Sequence, residues 1–141
     1  MSSLLLIIAL TLVGCGRGVT IEYIPEGGTY SIADLEGLAQ DVDITVLEDV
    51  TSSEIGETRQ EYLTALRGHG EQASIVADTL TRDFPVDTLA VPLLVESGAV
   101  DGQDVWIVVE AWAEEGSTLL HRRVWLLDRD TMTLVNSLSF R

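Results

Sequence analysis

Past Pro85 the pattern of apolar residues changes period, and that change constrains the fold more than any other feature of the chain. Before it, apolar side chains recur at three- and four-residue spacing. After it they follow strand-like patterning in four runs, at about 90–97, 104–113, 118–127 and 132–140. The gaps between these runs carry turn chemistry. Asp101-Gly102 suits a two-residue type I′ hairpin, whose central residues both need positive φ, while Glu114-Glu115-Gly116-Ser117 and Asp128-Arg129-Asp130-Thr131 suit four-residue turns. Successive hairpins make an antiparallel meander. With helices confined to the N-terminal part, the expected class is α+β: a four- to five-stranded meander sheet with N-terminal helices packed on one face.

Upstream, Val19 to Ile24 reads as a β-like run and Glu26-Gly27-Gly28 as a turn. Ser31 with Asp34 three residues on is a capping pattern for a short helix that turns Ile32, Leu35, Leu38 and Ala39 to one side. Ile44 to Leu47 is strand-like. Thr51 or Ser53 caps a longer helix running to Arg67, with Ile55, Tyr62, Leu63 and Leu66 inward and Gly68 just past its end. A second helix is expected from Glu71 to about Asp83, with Ile75, Val76, Thr79 and Leu80 inward and Pro85 forbidding continuation. The two would form an αα-hairpin.

The N-terminus carries a different message. Leu4 to Val13 is apolar apart from Thr11, the length of a secretory h-region and about half of the roughly 20 residues a membrane-crossing helix needs. It ends at Leu12-Val13-Gly14-Cys15, which resembles the lipobox of bacterial lipoproteins: two aliphatic residues, a small one, then the lipidated cysteine. The resemblance implies that residues 1–14 are a lipoprotein signal peptide, cut before Cys15. It also implies that the Cys15 thiol takes a diacylglycerol and that the new N-terminus is often acylated, with palmitate a typical chain. Lipoproteins kept in the inner membrane of two-membrane bacteria often have aspartate after the cysteine, and Gly16 is not that signal. Localisation on the cell membrane or outer membrane, facing away from the cytoplasm, is what the resemblance implies. Residues 15–18 would be a short tether and 19–141 a single domain, since 141 residues are too few for two ordinary ones.

Charge and composition exclude several function classes. With 23 acidic residues, 8 basic ones and no lysine, the formal net charge is −15. Such a chain is repelled by phosphate backbones and by anionic lipid surfaces, so nucleic acid is not an expected partner. Without lysine there is neither Schiff-base chemistry nor a P-loop ammonium. Cys15 is the only cysteine, so once acylated it leaves no thiol for disulfides, metal sites or catalysis. Between Gly18 and Thr58 lie ten acidic residues and no basic one, but Asp41-Val42-Asp43 and Asp128-Arg129-Asp130 supply only fragments of a calcium loop. His69 sits between two glycines with Glu71 its one near ligand type, which is short of a zinc set. No catalytic residue, metal or cofactor is expected.

One constellation remains. Pairing Val100 with Gln103, Ala113 with Thr118 and Leu127 with Met132 gathers Val91, Leu93, Val95, Trp106, Val108, Trp112, Leu119, Trp125, Leu127, Leu134, Leu138 and Phe140 on a core face. Its exceptions are Glu110, His121, Arg123 and Asn136, with Glu110 set opposite His121 and Arg123 opposite Asn136. They form a candidate ligand patch, with Glu110 as acceptor or base, His121 as proton carrier and Arg123 as an anion fork. The alternative is cross-strand charge neutralisation on a partly covered sheet. Arg122 falls on the opposite face and is expected in solvent. That face still holds Leu94, Val105, Ile107, Val109, Leu120, Val124, Leu126 and Val135, so either the N-terminal strand and helix cover it or a partner does.

These readings converge on a lipid-anchored envelope protein presenting one domain as a non-catalytic binding or structural module. The alternatives are a small-ligand binder or envelope enzyme using Glu110, His121 and Arg123, and a subunit of an envelope assembly docking through the second sheet face. The expected partners are the membrane, through the anchor, and an unidentified envelope protein.

Overall fold

The computed structural model describes residues 19–84 and 89–141, so the lipobox, Cys15 and Pro85 lie outside the described residues. Among the described residues the class is α+β. The sheet contains β1 (Glu22–Ile24), β2 (Thr29–Tyr30), β3 (Ala90–Val100), β4 (Gln103–Trp112), β5 (His121–Asp128) and β6 (Leu134–Phe140). The helices α1 (Leu35–Asp41), α2 (Ile55–Arg67) and α3 (Glu71–Arg82) all precede β3.

The meander is present as β3-β4-β5-β6, antiparallel throughout. Its first turn has the expected form: Asp101 and Gly102 have φ of 49° and 80°, and Val100 faces Gln103. The sheet is wider than expected, however. β1 and β2 both run parallel to β3, bridged by a hydrogen bond from the Gly27 amide to the Ser97 carbonyl at 2.7 Å. Together they are one interrupted edge strand. Gly27 is required there, because a Cβ would stand 2.6 Å from the Ser97 carbonyl oxygen and would collide with the Glu96 side chain.

Helices lie on both faces rather than one. Ile55, Tyr62, Leu63 and Leu66 of α2 and Val76, Ala77 and Leu80 of α3 pack on Val91, Leu93, Val95, Trp106 and Val108. On the other side, Leu35 and Ala39 of α1 pack on Leu94, Val105, Ile107, Val109, Val124 and Leu126. The apolar second face is therefore closed by the chain itself: Ile107, Val109 and Val124 are fully buried, although Leu120 and Val135 remain exposed. The Ser31 start of the α1 segment behaves as its sequence suggests. The Asp34 carboxylate accepts the Ser31 amide at 2.8 Å, a bond that holds Asp34 below the usual carboxylate range.

Some local expectations fail. Ile44–Leu47 is not a strand: Thr45–Leu47 forms a single 3₁₀ turn, nucleated by the Asp43 carboxylate, which accepts the Thr45 amide at 2.9 Å and the Thr45 hydroxyl at 2.6 Å. Ile75, expected inward, is 39% exposed, and Ala73 and Ala77 take the inward positions beside Val76.

Candidate functional site

The loop between β4 and β5 is longer than its turn signal suggests. Gly116, with φ of 76°, and a Ser117-to-Glu114 backbone bond make the turn as expected, but pairing resumes only at Trp112 and His121. The register is therefore displaced by two residues, which keeps every side chain on its expected face but exchanges its partner. Glu110 faces Arg123 instead of His121, and His121 faces Trp112. Between β5 and β6 the displacement is odd. Met132 adopts φ of 58°, and an irregularity between Leu126 and Leu127 adds one more residue. Arg123 consequently faces Ser139, Asn136 faces Leu126, and Leu138 and Phe140 move to the α1 side.

Of the four patch residues, the structure buries one and leaves three near the surface. Glu110 is 0% exposed and receives its cation from a helix, not from the sheet. Arg59 of α2, 4% exposed, donates from Nη1 to Glu110 Oε1 at 3.3 Å and to the Ala90 carbonyl at 2.9 Å, and from Nη2 to the Leu80 carbonyl at 3.4 Å. One side chain thus ties α2 to the end of α3 and to two strands. The second Glu110 oxygen has no hydrogen-bond partner among the described residues. A cleft of about 310 Å³ between α2 and α3 is lined by Arg59, Gln60, Leu80 and Phe84, and Glu110 does not line it.

Sequence reading missed Arg59, although a signal existed. Arg59 lies four residues after Ile55 and four before Leu63, in the centre of the buried stripe of α2. An arginine inside an apolar stripe requires an acid in the layer beneath, and Glu110 is the acid interrupting the apolar run of β4.

Arg123 stacks on aromatic rings, its guanidinium 5.0 Å from the Trp112 ring centre and 5.3 Å from that of Trp125. His121 lies 4.7 Å from Trp112, and Arg141 stands 6.0 Å from the same ring while pairing with Glu114 at 3.4 Å. Asn136 is exposed and its carbonyl accepts the neighbouring Ser137 amide at 2.8 Å. Arg122 is half-buried and donates to the Val42 carbonyl at 3.2 Å, anchoring the end of the α1 segment. The four expected residues therefore do not line a common opening. Glu110 is sealed in the core, while Arg123, His121 and Arg141 surround Trp112 at one corner of the sheet.

On the other face a second carboxylate is buried. Glu96, 4% exposed, lies under Gly27 and beside Tyr30. Burial, with the adjacent Glu96 carboxylate adding to it, pushes the Tyr30 phenol up to about 12.

Among the described residues no group of three or more His, Cys, Asp or Glu could hold a metal ion, and no helix is long and apolar enough to cross a membrane. No protein-family model, curated protein or solved structure matches the chain.

Proposed function

We propose that this chain is a bacterial envelope lipoprotein, anchored by acyl chains on Cys15 and presenting the α+β domain as a non-catalytic binding or structural module. The observation that carries the reading is the Leu12-Val13-Gly14-Cys15 sequence behind a ten-residue apolar run, with no second cysteine in the chain. Two or three acyl chains give durable attachment where one is marginal. The position of the fold supports this. Ile21 is already a core residue, so a tether of only a few residues joins the anchor to the packed body.

The closed state of the Arg59–Glu110 pair supports a structural role for Glu110 over an acid–base one. Glu110 is fully buried, is held by Arg59 and does not line the cleft between α2 and α3, so it has no opening through which to exchange a proton with a substrate. A small-ligand or catalytic reading built on Glu110, His121 and Arg123 would need those groups in a common opening, and a docking reading through the second sheet face would need Ile107, Val109 and Val124 exposed.

The test is metabolic labelling with palmitate in a bacterial host, comparing wild type with Cys15→Ala. Label in a membrane-bound product, abolished by the substitution, is the expected result. An unlabelled product that retains Met1 and stays in the cytosol would overturn the proposal.

A further inference from the structure

The sheet ends in two unlike edges. The β1–β2 edge is short and interrupted, and it carries Pro25 and the exposed carboxylates of Glu22 and Glu26, features that discourage a further strand from pairing there. β6 is the other outer strand among the described residues. No charged residue and no proline stands between Asp130 and Arg141, and five of the seven β6 residues are exposed. Its one irregularity lies at Val135, which leaves Asn136 to Phe140 regular. The Ser137 amide donates to the Asn136 side-chain carbonyl at 2.8 Å, so it points away from β5, and by the alternation of an antiparallel ladder Ser139 points the same way. The backbone groups of Ser137 and Ser139 therefore form an open row along an uncharged edge.

We infer that the β6 edge is a pairing surface for a second copy of this chain, the two β6 strands running antiparallel about a two-fold axis at Ser137. Such pairing sets Ser137 against Ser137 and Ser139 against Val135, and it turns Leu134, 51% exposed, toward the Phe140 end of the other copy. The Asn136 cap is exchanged for a bond between strands, and each open amide and carbonyl meets its own equivalent. Charge selects the occupant. Two molecules of net charge −15 repel one another wherever their carboxylates are apposed, and β6 is the edge along which they can approach without apposing any on the strand itself. A basic segment would find no carboxylate on this strand, whereas a neutral strand fits, and β6 is itself one. The bracketing residues set the direction: antiparallel pairing brings the Arg141 end, which also holds Glu114, toward the Asp130 end of the other copy, and parallel pairing would not. The contact is small. One strand pair buries well under the ~1,600 Å² of a standard interface, so the dimer is weak and concentration-dependent.

The experiment places a thiol on the proposed axis. In the full chain carrying Cys15→Ala, Ser137→Cys and Ser139→Cys are compared under mild oxidation in high salt, where mutual repulsion is screened. Facing residues of an antiparallel pair have Cα atoms about 5.5 Å apart, within disulfide reach, whereas two copies of residue 139 would stand about 13 Å apart. Disulfide dimer should therefore accumulate at least about tenfold faster from Ser137→Cys than from Ser139→Cys. Light scattering across a concentration series should show association that Ser137→Lys abolishes, with the circular dichroism of the fold unchanged, because the position is exposed and a lysine there meets its own copy across the axis. Equal cross-linking at 137 and 139, association indifferent to Ser137→Lys, or a chain that stays monomeric throughout would each overturn the inference. All of these variants lack Cys15 or leave it untouched, so neither outcome bears on the palmitate test of the anchor.

Discussion

Among the described residues each layer encloses one carboxylate, and the two are accommodated in opposite ways. Glu110, between the sheet and the α2–α3 pair, has a guanidinium fixed by two backbone carbonyls. Glu96, on the α1 side, has a phenol and the backbone of Gly27 above it. The chain that covers each face explains the difference. Residues 18 to 58, which supply β1, β2 and α1, contain no basic residue, so no cation was available to roof Glu96. On the other face α2 brings an arginine whose long stem lies in an apolar seam while its head reaches Glu110. A buried acid is thus tolerated by whatever hydrogen-bonding group its covering segment can deliver.

Removing the cation should separate the two layers most sharply. Arg59→Met leaves Glu110 as an uncompensated buried acid and should cost about 3–5 kcal/mol in denaturant unfolding, with the double change Arg59→Met, Glu110→Leu recovering most of the loss. A single change without effect would mean that the Arg59–Glu110 pair does not hold α2 to the sheet. On the Glu96 side the expected loss is smaller. Gly27→Ala forces a Cβ against both the Glu96 side chain and the Ser97 carbonyl, at about 1–3 kcal/mol. Adding Glu96→Ala should restore only part of it, because the carbonyl stays in place.

The smallest effect is confined to alkaline solution. Folded Tyr30 keeps its proton up to about pH 12, whereas the unfolded chain releases it near 10.0. Between these values the unfolded state binds fewer protons than the native one, so stability falls as pH rises. Tyr30→Phe should flatten the fall of the melting temperature across that window and leave the slope below pH 10 unchanged. An identical alkaline slope in both proteins would break the contrast between the two acids.

Local signals carried the meander and its helices well. Asp101-Gly102 could form only one kind of tight hairpin, and α2 and α3 begin and end within one residue or so of their capping and periodicity signals, once the 3₁₀ turn before Ile55 is counted. The parallel pairing of β1 and β2 with β3 had no local signature, since their partners lie about seventy residues away. Thr118 to Leu120 looked like strand because apolar patterning does not reveal where a loop releases the chain, and the two-residue displacement that followed changed the partners of Glu110 and His121. The role of Arg59 was readable only by asking why a charge sits within an apolar stripe. The Trp112 corner was readable from neither period nor motif, because Arg123, His121 and Arg141 converge there through the corrected register.

The interrupted edge strand also bears on mechanics. A pull on the chain ahead of Val19 runs along β1, in line with β3, so the bonds joining them are loaded in shear and resist together instead of unzipping singly. Under tension the body would stay shut until that short ladder fails as a unit, and its lifetime would be set by the rate of that rupture.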